Sequence, residues 1–235
     1  MTTTPPRVSR RNIVRGLALG AAALSFPVLA QNPAPRRVDV ALVLAVDCSR
    51  SIDDGEYRLQ AQGYADAFRT DRVQRAALSG RHGAIAVIMT HWGGQFAQKE
   101  ATPWTLLDGK PAFARFAATL AGLERLIDDD ATSIGAAIDH GRRMLERIPF
   151  LAERRVIDVS GDGMNNQGRF PRYARDDAVA VGIGINALAI LSDHATLDRY
   201  FRAEVIGGPG AFVLPARRFA DFGPAIANKI AMEVA

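Results

Sequence analysis

Residues 38–46 read VDVALVLAV, an apolar run broken only by Asp39, and the chain then turns polar at Asp47. A strand with one solvated face alternates apolar and polar residues. This one does not, so it is expected to be buried on both faces, inside a parallel sheet covered by helices on both sides. The rest of the chain supplies the remaining layers. Residues 53–78 carry apolar positions at helical spacing, and Asp53 with Glu56 is expected to form a capping box. GAIAVIMTHW (83–92) is a second buried strand, and QKEATPWTLL (98–107) a polar one that Pro103 assigns to an edge. Helices are expected over 111–127 and 133–148, and a strand over 154–160. Then follow a short helix (172–181), a strand (185–191), a helix (195–203), a short strand (211–216) and a closing helix (218–234). Alternation of this kind predicts an α/β fold with a mostly parallel sheet. Ligands of such folds bind beyond the carboxyl ends of the strands.

The amino terminus reads as an export signal over residues 1–30. A basic start precedes an uncharged apolar stretch, with Ala30 as a small residue at the cleavage point. The pair Arg10-Arg11, with Ser9 before it and Asn12, Ile13 and Val14 after it, is similar to a twin-arginine signal. The apolar stretch is too short for a membrane span and no second one follows, so the mature chain is expected to lack one. This places the protein in the periplasm or outside the cell. A Pro-rich linker over 31–37 then leads into one domain over 38–235. The formal net charge of +4 is carried by the four arginines of the signal, which leaves the mature chain near neutral. Nothing in that balance calls for nucleic acid. The single cysteine, Cys48, excludes an intramolecular disulfide.

Three loops that follow strands or open helices concentrate oxygen-bearing side chains. The first is DCSRS, with Asp47, Ser49 and Ser51 at alternate positions. The second, DDDATSIG, puts Thr132 at a helix start. The third, DVSGDGMNNQG, puts Asp162 after a central strand. Each is individually explicable as a helix cap or a turn. Together they supply two carboxylates and three hydroxyls, with no His or Cys set at zinc spacing. Hard oxygen donors suit Mg²⁺, with Mn²⁺ or Ca²⁺ as substitutes. Neutral hydroxyls leave such an ion with residual positive charge, which favours an acidic oxygen from outside.

At these residues the sequence resembles the von Willebrand factor A domain. Asp47-x-Ser49-x-Ser51 matches that family's DxSxS motif, Thr132 its isolated threonine, and Asp162 its later aspartate in an Asp-Gly pair. The resemblance spans residues 38–235. It implies a Rossmann-like sheet of about six strands with one antiparallel edge, and a metal-ion-dependent adhesion site (MIDAS). It also implies that Ser49, Ser51 and Thr132 touch the ion directly while the aspartates act through water. A protein partner's Glu or Asp would complete the coordination. More narrowly, RRVIDVSGDGMNNQG and VIGGPGAFV resemble a branch of exported bacterial proteins with this domain and no assigned biochemical role. Two positions depart from the common pattern. Arg50 stands where many relatives have a small residue, which bears on partner choice. Gly161 stands where many have Thr, and is expected to matter little to metal binding.

Neighbouring residues offer further candidates. Arg50 is a possible second anchor for an acidic partner group or a solvated arginine. Asp158 is either a buried support for the site or a satisfied polar core residue. Asn165 and Asn166 read either as ordinary loop asparagines or as residues that shape the loop rim, and the run Asp128–Asp130 reads as a solvated face. A dinucleotide enzyme is excluded by the lack of glycine in the first turn, and no P-loop is present. SGDG is not a nucleophile elbow. A metal-assisted hydrolase is the runner-up. It needs a general base near the ion, and the ligand set offers no free carboxylate or histidine for that task. The expected function is a metal-dependent protein-binding module.

Overall fold

The computed structural model describes residues 1–4 and 34–235. Residues 5–30 of the expected export signal and 31–33 of the expected linker lie outside the described residues. From Pro35 onward the chain forms one compact unit. β1 (Arg37–Asp47) leads through α1 (Asp54–Arg69) and α2 (Asp71–Leu78) to β2 (Ile85–Trp92). Two short strands, β3 (Gln98–Glu100) and β4 (Thr105–Leu107), precede α3 (Lys110–Ala121) and α4 (Ile134–Glu146). Then come β5 (Leu151–Gly161), α5 (Pro171–Ala180), β6 (Ile183–Ile190) and α6 (Leu197–Glu204). The chain closes with β7 (Val213–Ala216) and α7 (Phe222–Val234).

The sheet runs β3-β2-β1-β5-β6-β7, with β4 also paired to β2. Strands β1, β2, β5, β6 and β7 are parallel, while β3 and β4 are antiparallel to β2. The sheet has seven strands because the polar edge segment breaks in two around Pro103, which has no N–H to donate. In the gap, Thr102 Oγ1 accepts the Met89 N–H at 2.9 Å in place of a ladder bond. β1 is buried on both faces, as its composition requires. Leu42 and Leu44 pack with Tyr64, Phe68, Phe113 and Ile226 of α1, α3 and α7. Val43 and Ala45 pack with Ile134, Ile138 and Phe201 on the α4–α6 side.

Two helices expected as single runs end early. The 53–78 helix divides at Thr70, whose hydroxyl accepts from Val73 N and donates to Ala67 O at 2.7 Å, closing α1 and capping α2. The 111–127 helix stops at Ala121, before Gly122. The freed stretch 123–133 runs back across the carboxyl end of β1. The Asp53–Glu56 capping box forms at the start of α1, with both bonds present at 2.8 and 3.0 Å. From β1 the chain moves outward to β2, then returns to β5 on the other side of β1. The loops after β1 and β5 therefore diverge, and a site can form between them.

Candidate functional site

Asp47 ends β1 and is fully buried. Its Oδ1 accepts the Ser49 N–H at 2.8 Å, which closes the turn locally. Ser49 Oγ lies 3.1 Å from Ser51 Oγ, and Ser51 Oγ donates to Asp162 Oδ1 at 2.9 Å. Ser51 has one proton and gives it to Asp162, so Ser49 is the donor between the two serines. Asp162 follows β5 directly. Thr132 stands against the same loop: a Cβ built on Gly163 would lie 3.7 Å from its Oγ1. Its backbone is fixed on both sides by Asn166, whose Oδ1 accepts Thr132 N–H at 2.8 Å and whose N–H donates to Thr132 O at 2.9 Å. Asn165 Oδ1 accepts the Gly135 N–H at 3.2 Å. The two asparagines thus staple the Thr132 loop to the Asp162 loop. The five residues singled out from sequence are brought together from three loops.

The electrostatics of the pair are strained. Asp47 Oδ2 is buried and has no hydrogen-bond partner. Burial, then the charge of Asp162, pushes the Asp47 carboxyl up to about 7. Asp162 is also raised, by burial and by the nearby charge of Asp193, against the opposing Ser51 hydrogen bond. Two buried carboxylates with too little positive charge around them have the electrostatics that a divalent cation would relieve. Among the described residues, no group of three or more His, Cys, Asp or Glu side chains is placed to hold a metal. An ion at this turn would therefore rest largely on hydroxyls. The donors present are all hard oxygens and fit Mg²⁺, Mn²⁺ or Ca²⁺ rather than a soft metal.

Residues outside the motif hold the turn in place. Arg125 Nη2 donates to Cys48 O at 2.9 Å and to Ser49 O at 2.7 Å. Gln60 Nε2 donates to Asp47 O at 3.3 Å. Neither residue carries a sequence signal, because each acts on backbone carbonyls far away in the chain. Asp193 and His194 follow β6 and line the same cleft of about 310 Å³ as Ser51, Thr132 and Asp162. Their place after a strand was a signal available in the sequence. They also correct the argument against a hydrolase, since a carboxylate and an imidazole do stand at this cleft.

Other expectations change. The Asp128–Asp130 run is not simply a solvated face. Asp129 pairs with Ser49 as a β-bridge, and its carbonyl accepts the Arg50 N–H at 2.9 Å. The guanidinium of Arg50 is half-exposed and paired with Asp128 at 3.3 Å and with Asp130. Asp158 is fully buried and pairs with Lys229 of α7 at 2.5 Å, so it belongs to the core and does not support the turn. Gly161 is closely packed. A Cβ there would lie 2.8 Å from Asp47 Oδ2 and 3.2 Å from the Trp92 ring. The absent side chain is what lets the Trp92 ring and the Asp47 carboxylate share that space.

A family profile described as "Protein of unknown function (DUF1194)" matches residues 37–235. The chain belongs to the DUF1194 family. A search of curated proteins finds no match for it. Among solved structures, the DUF1194 chain is similar to proximal thread matrix protein 1 from the mussel byssus. That match has TM-score 0.59 and 14% identity, covering 85% of this chain and 47% of the other. A further form of the mussel protein has a zinc-occupied MIDAS motif, with TM-score 0.53 and 17% identity over 85% and 48%. The pilus adhesin SpaC of Lactobacillus rhamnosus GG, in its open conformation, matches with TM-score 0.59 and 14% identity over 85% and 30%. A von Willebrand factor type A protein from Catenulispora acidiphila matches with TM-score 0.57 and 16% identity over 84% and 43%. The DUF1194 chain spans less than half the length of each. At these identities the likeness is one of fold, and that fold is the von Willebrand factor A domain.

Proposed function

We propose that this chain is an exported, divalent-metal-dependent protein-binding module. The observation that carries the reading is Asp47: a fully buried carboxylate with one oxygen unpartnered, beside a second raised carboxylate, in a turn of hydroxyls. Asp47, Ser49, Ser51, Thr132 and Asp162 would hold Mg²⁺, or Mn²⁺ or Ca²⁺. When bound, the ion would supply an electrophilic anchor for the carboxylate of a protein partner's Glu or Asp. The chain's own residues do the rest. Arg125 and Gln60 fix the carbonyls behind the turn, and Asn166 fixes Thr132. Asp130 and Asp193 on the cleft wall repel anions, so an acidic group is admitted only against a compensating cation. Likeness in fold to a pilus adhesin and a byssal matrix protein supports an interaction role.

The test is affinity capture from periplasmic extract in Mg²⁺ or in a chelator. A partner retained in Mg²⁺, lost in chelator and lost with Asp47→Asn is expected. Equal capture in all three overturns the reading. Because His194 and Asp193 line the cleft, metal-assisted hydrolysis is a second reading. Turnover of phosphoester or ester substrates with Mg²⁺, abolished by His194→Ala, would favour it over binding.

A further inference from the structure

Large apolar side chains that stand in water are ordinarily scattered over a protein. In this domain they gather. Phe96, Leu126, Met164, Phe170 and Tyr173 are five of the nine exposed large apolar residues between Pro35 and Ala235, and all five lie at the carboxyl end of the sheet. That end carries the Asp47 turn, and the five include every exposed aromatic residue of the domain. Phe96 is 93% exposed, yet its turn is fixed. Gly93 N–H donates to Ala97 O at 3.0 Å, and Gln95 N–H donates to Gln167 Oε1 at 2.6 Å. Gly93 O accepts the N–H of Ser133, beside Thr132, at 2.8 Å. Phe170 and Tyr173 meet edge to face with ring centroids 6.3 Å apart, and the Arg172 guanidinium lies over both rings at 4.9 and 5.1 Å. Arg172 is in turn paired with Glu204 at 3.2 Å. Aromatic side chains held in this way lose little entropy on binding, and protein interfaces concentrate their energy on such residues.

The cleft supplies the charge. Met164 lines it together with Thr132, Asp162 and Asp193. Asp130 on its wall is paired with Arg50, whereas Asp193 has no ion-pair partner among the described residues. A carboxylate arriving at an ion in this cleft passes that unmatched anion, and a base beside the carboxylate on the same partner would match it. Given the ion-dependent binding proposed above, on which this rests, we infer that the partner is a protein segment of defined chemistry. It offers an Asp or Glu to the ion, a neighbouring Lys or Arg to Asp193, and large apolar side chains that cover Met164, Phe170, Tyr173 and Phe96. Residues 164–173 carry both halves of this surface. The segment leaves the cleft wall at Met164 and reaches the aromatic pair at Phe170, and Gln167 between them holds the Phe96 turn.

The test starts from a phage-displayed library of random peptides, captured on the immobilised full chain in Mg²⁺ and released with a chelator. Released peptides are expected to share an Asp or Glu with a Lys or Arg and a large apolar residue close by. A synthetic copy of one is then titrated against wild type and variants. Phe96→Ser, and Phe170→Ser combined with Tyr173→Ser, remove side chains that stand in water, so both proteins are expected to fold and to melt close to wild type. The paired substitution weakens the peptide at least tenfold and Phe96→Ser severalfold. Asp193→Asn also weakens it and lowers the salt dependence of binding. Mg²⁺ raises the melting temperature of the serine variants as much as that of wild type, which separates this surface from the ion site. The docking surface is overturned, with the ion site intact, if Mg²⁺ raises the melting temperature but no peptide is released. The same holds if the released peptides share no apolar residue, or bind both serine variants as tightly as wild type. If Mg²⁺ shifts no melting temperature, the ion site fails and the surface with it. If Mg²⁺ carries wild type but not Phe96→Ser onto vesicles of phosphatidylglycerol, the aromatic side chains serve a lipid surface and the inference is overturned.

Discussion

Asp47 is the residue on which the site turns. It sits at the end of the most buried strand with one oxygen unpartnered, and it holds the turn through the other. Replacing it with Asn keeps the shape and removes a charge that burial opposes. Without metal, Asp47→Asn is expected to melt at or above the wild-type temperature. With saturating Mg²⁺ the wild type gains about 2.7 kcal/mol at 100 times the Kd, and the variant gains little. Calorimetry with and without Mg²⁺ measures both. Gly161→Ala places a methyl group 2.8 Å from Asp47 Oδ2. It should weaken Mg²⁺ binding by about tenfold, roughly 1.4 kcal/mol, as read by titration calorimetry. The motif residues were legible in sequence because oxygen-bearing side chains stood where strands ended. Arg125, Gln60 and the constraint on Gly161 were not, because their partners are distant backbone carbonyls, a carboxylate and an indole ring.

At the scale of elements, α7 carries the least expected feature. Lys229 and Glu233, one turn apart, bury their charges against Asp158 of β5. Lys229→Met would leave two carboxylates without their cation and should cost about 3–5 kcal/mol, measurable by denaturant unfolding. Glu233 gives this helix a pH signature. Its carboxyl is pushed up to about 8 from an ordinary value near 4.5. Between those values the folded protein holds a proton that the unfolded chain releases. This contribution is therefore complete below pH 4.5 and is lost as the pH rises through 8. Melting curves across that range should show the decline, and Glu233→Gln should lessen it, leaving the part that Asp47, raised to about 7, contributes. The sequence showed the closing helix but not its buried charges, since 3.6-residue spacing tells which face is covered and not what covers it. The break at Thr70 was hidden for a related reason: one residue ends a helix and caps the next without interrupting the apolar spacing.

For the whole molecule, strand order does the positioning. The crossover from β2 back to β5 opens the gap between the Asp47 and Asp162 loops, and the 123–133 segment closes it from the side with Thr132 and Arg125. The alternation of buried strands and helices made this architecture readable in advance. The antiparallel edge was readable as well, but its one polar segment, interrupted by Pro103, forms two short strands. Export belongs to this scale as well. Arg10→Lys combined with Arg11→Lys should hold the protein in the cytoplasm, as followed by fractionation, if the first thirty residues act as a twin-arginine signal. The central claim is that three loops converge to hold one hard cation. Anomalous diffraction from a crystal soaked in Mn²⁺ tests it directly. A single peak bounded by Ser49, Ser51 and Thr132 hydroxyls, absent in Asp47→Asn, is the predicted result; a wild-type map with no peak in that turn would contradict it.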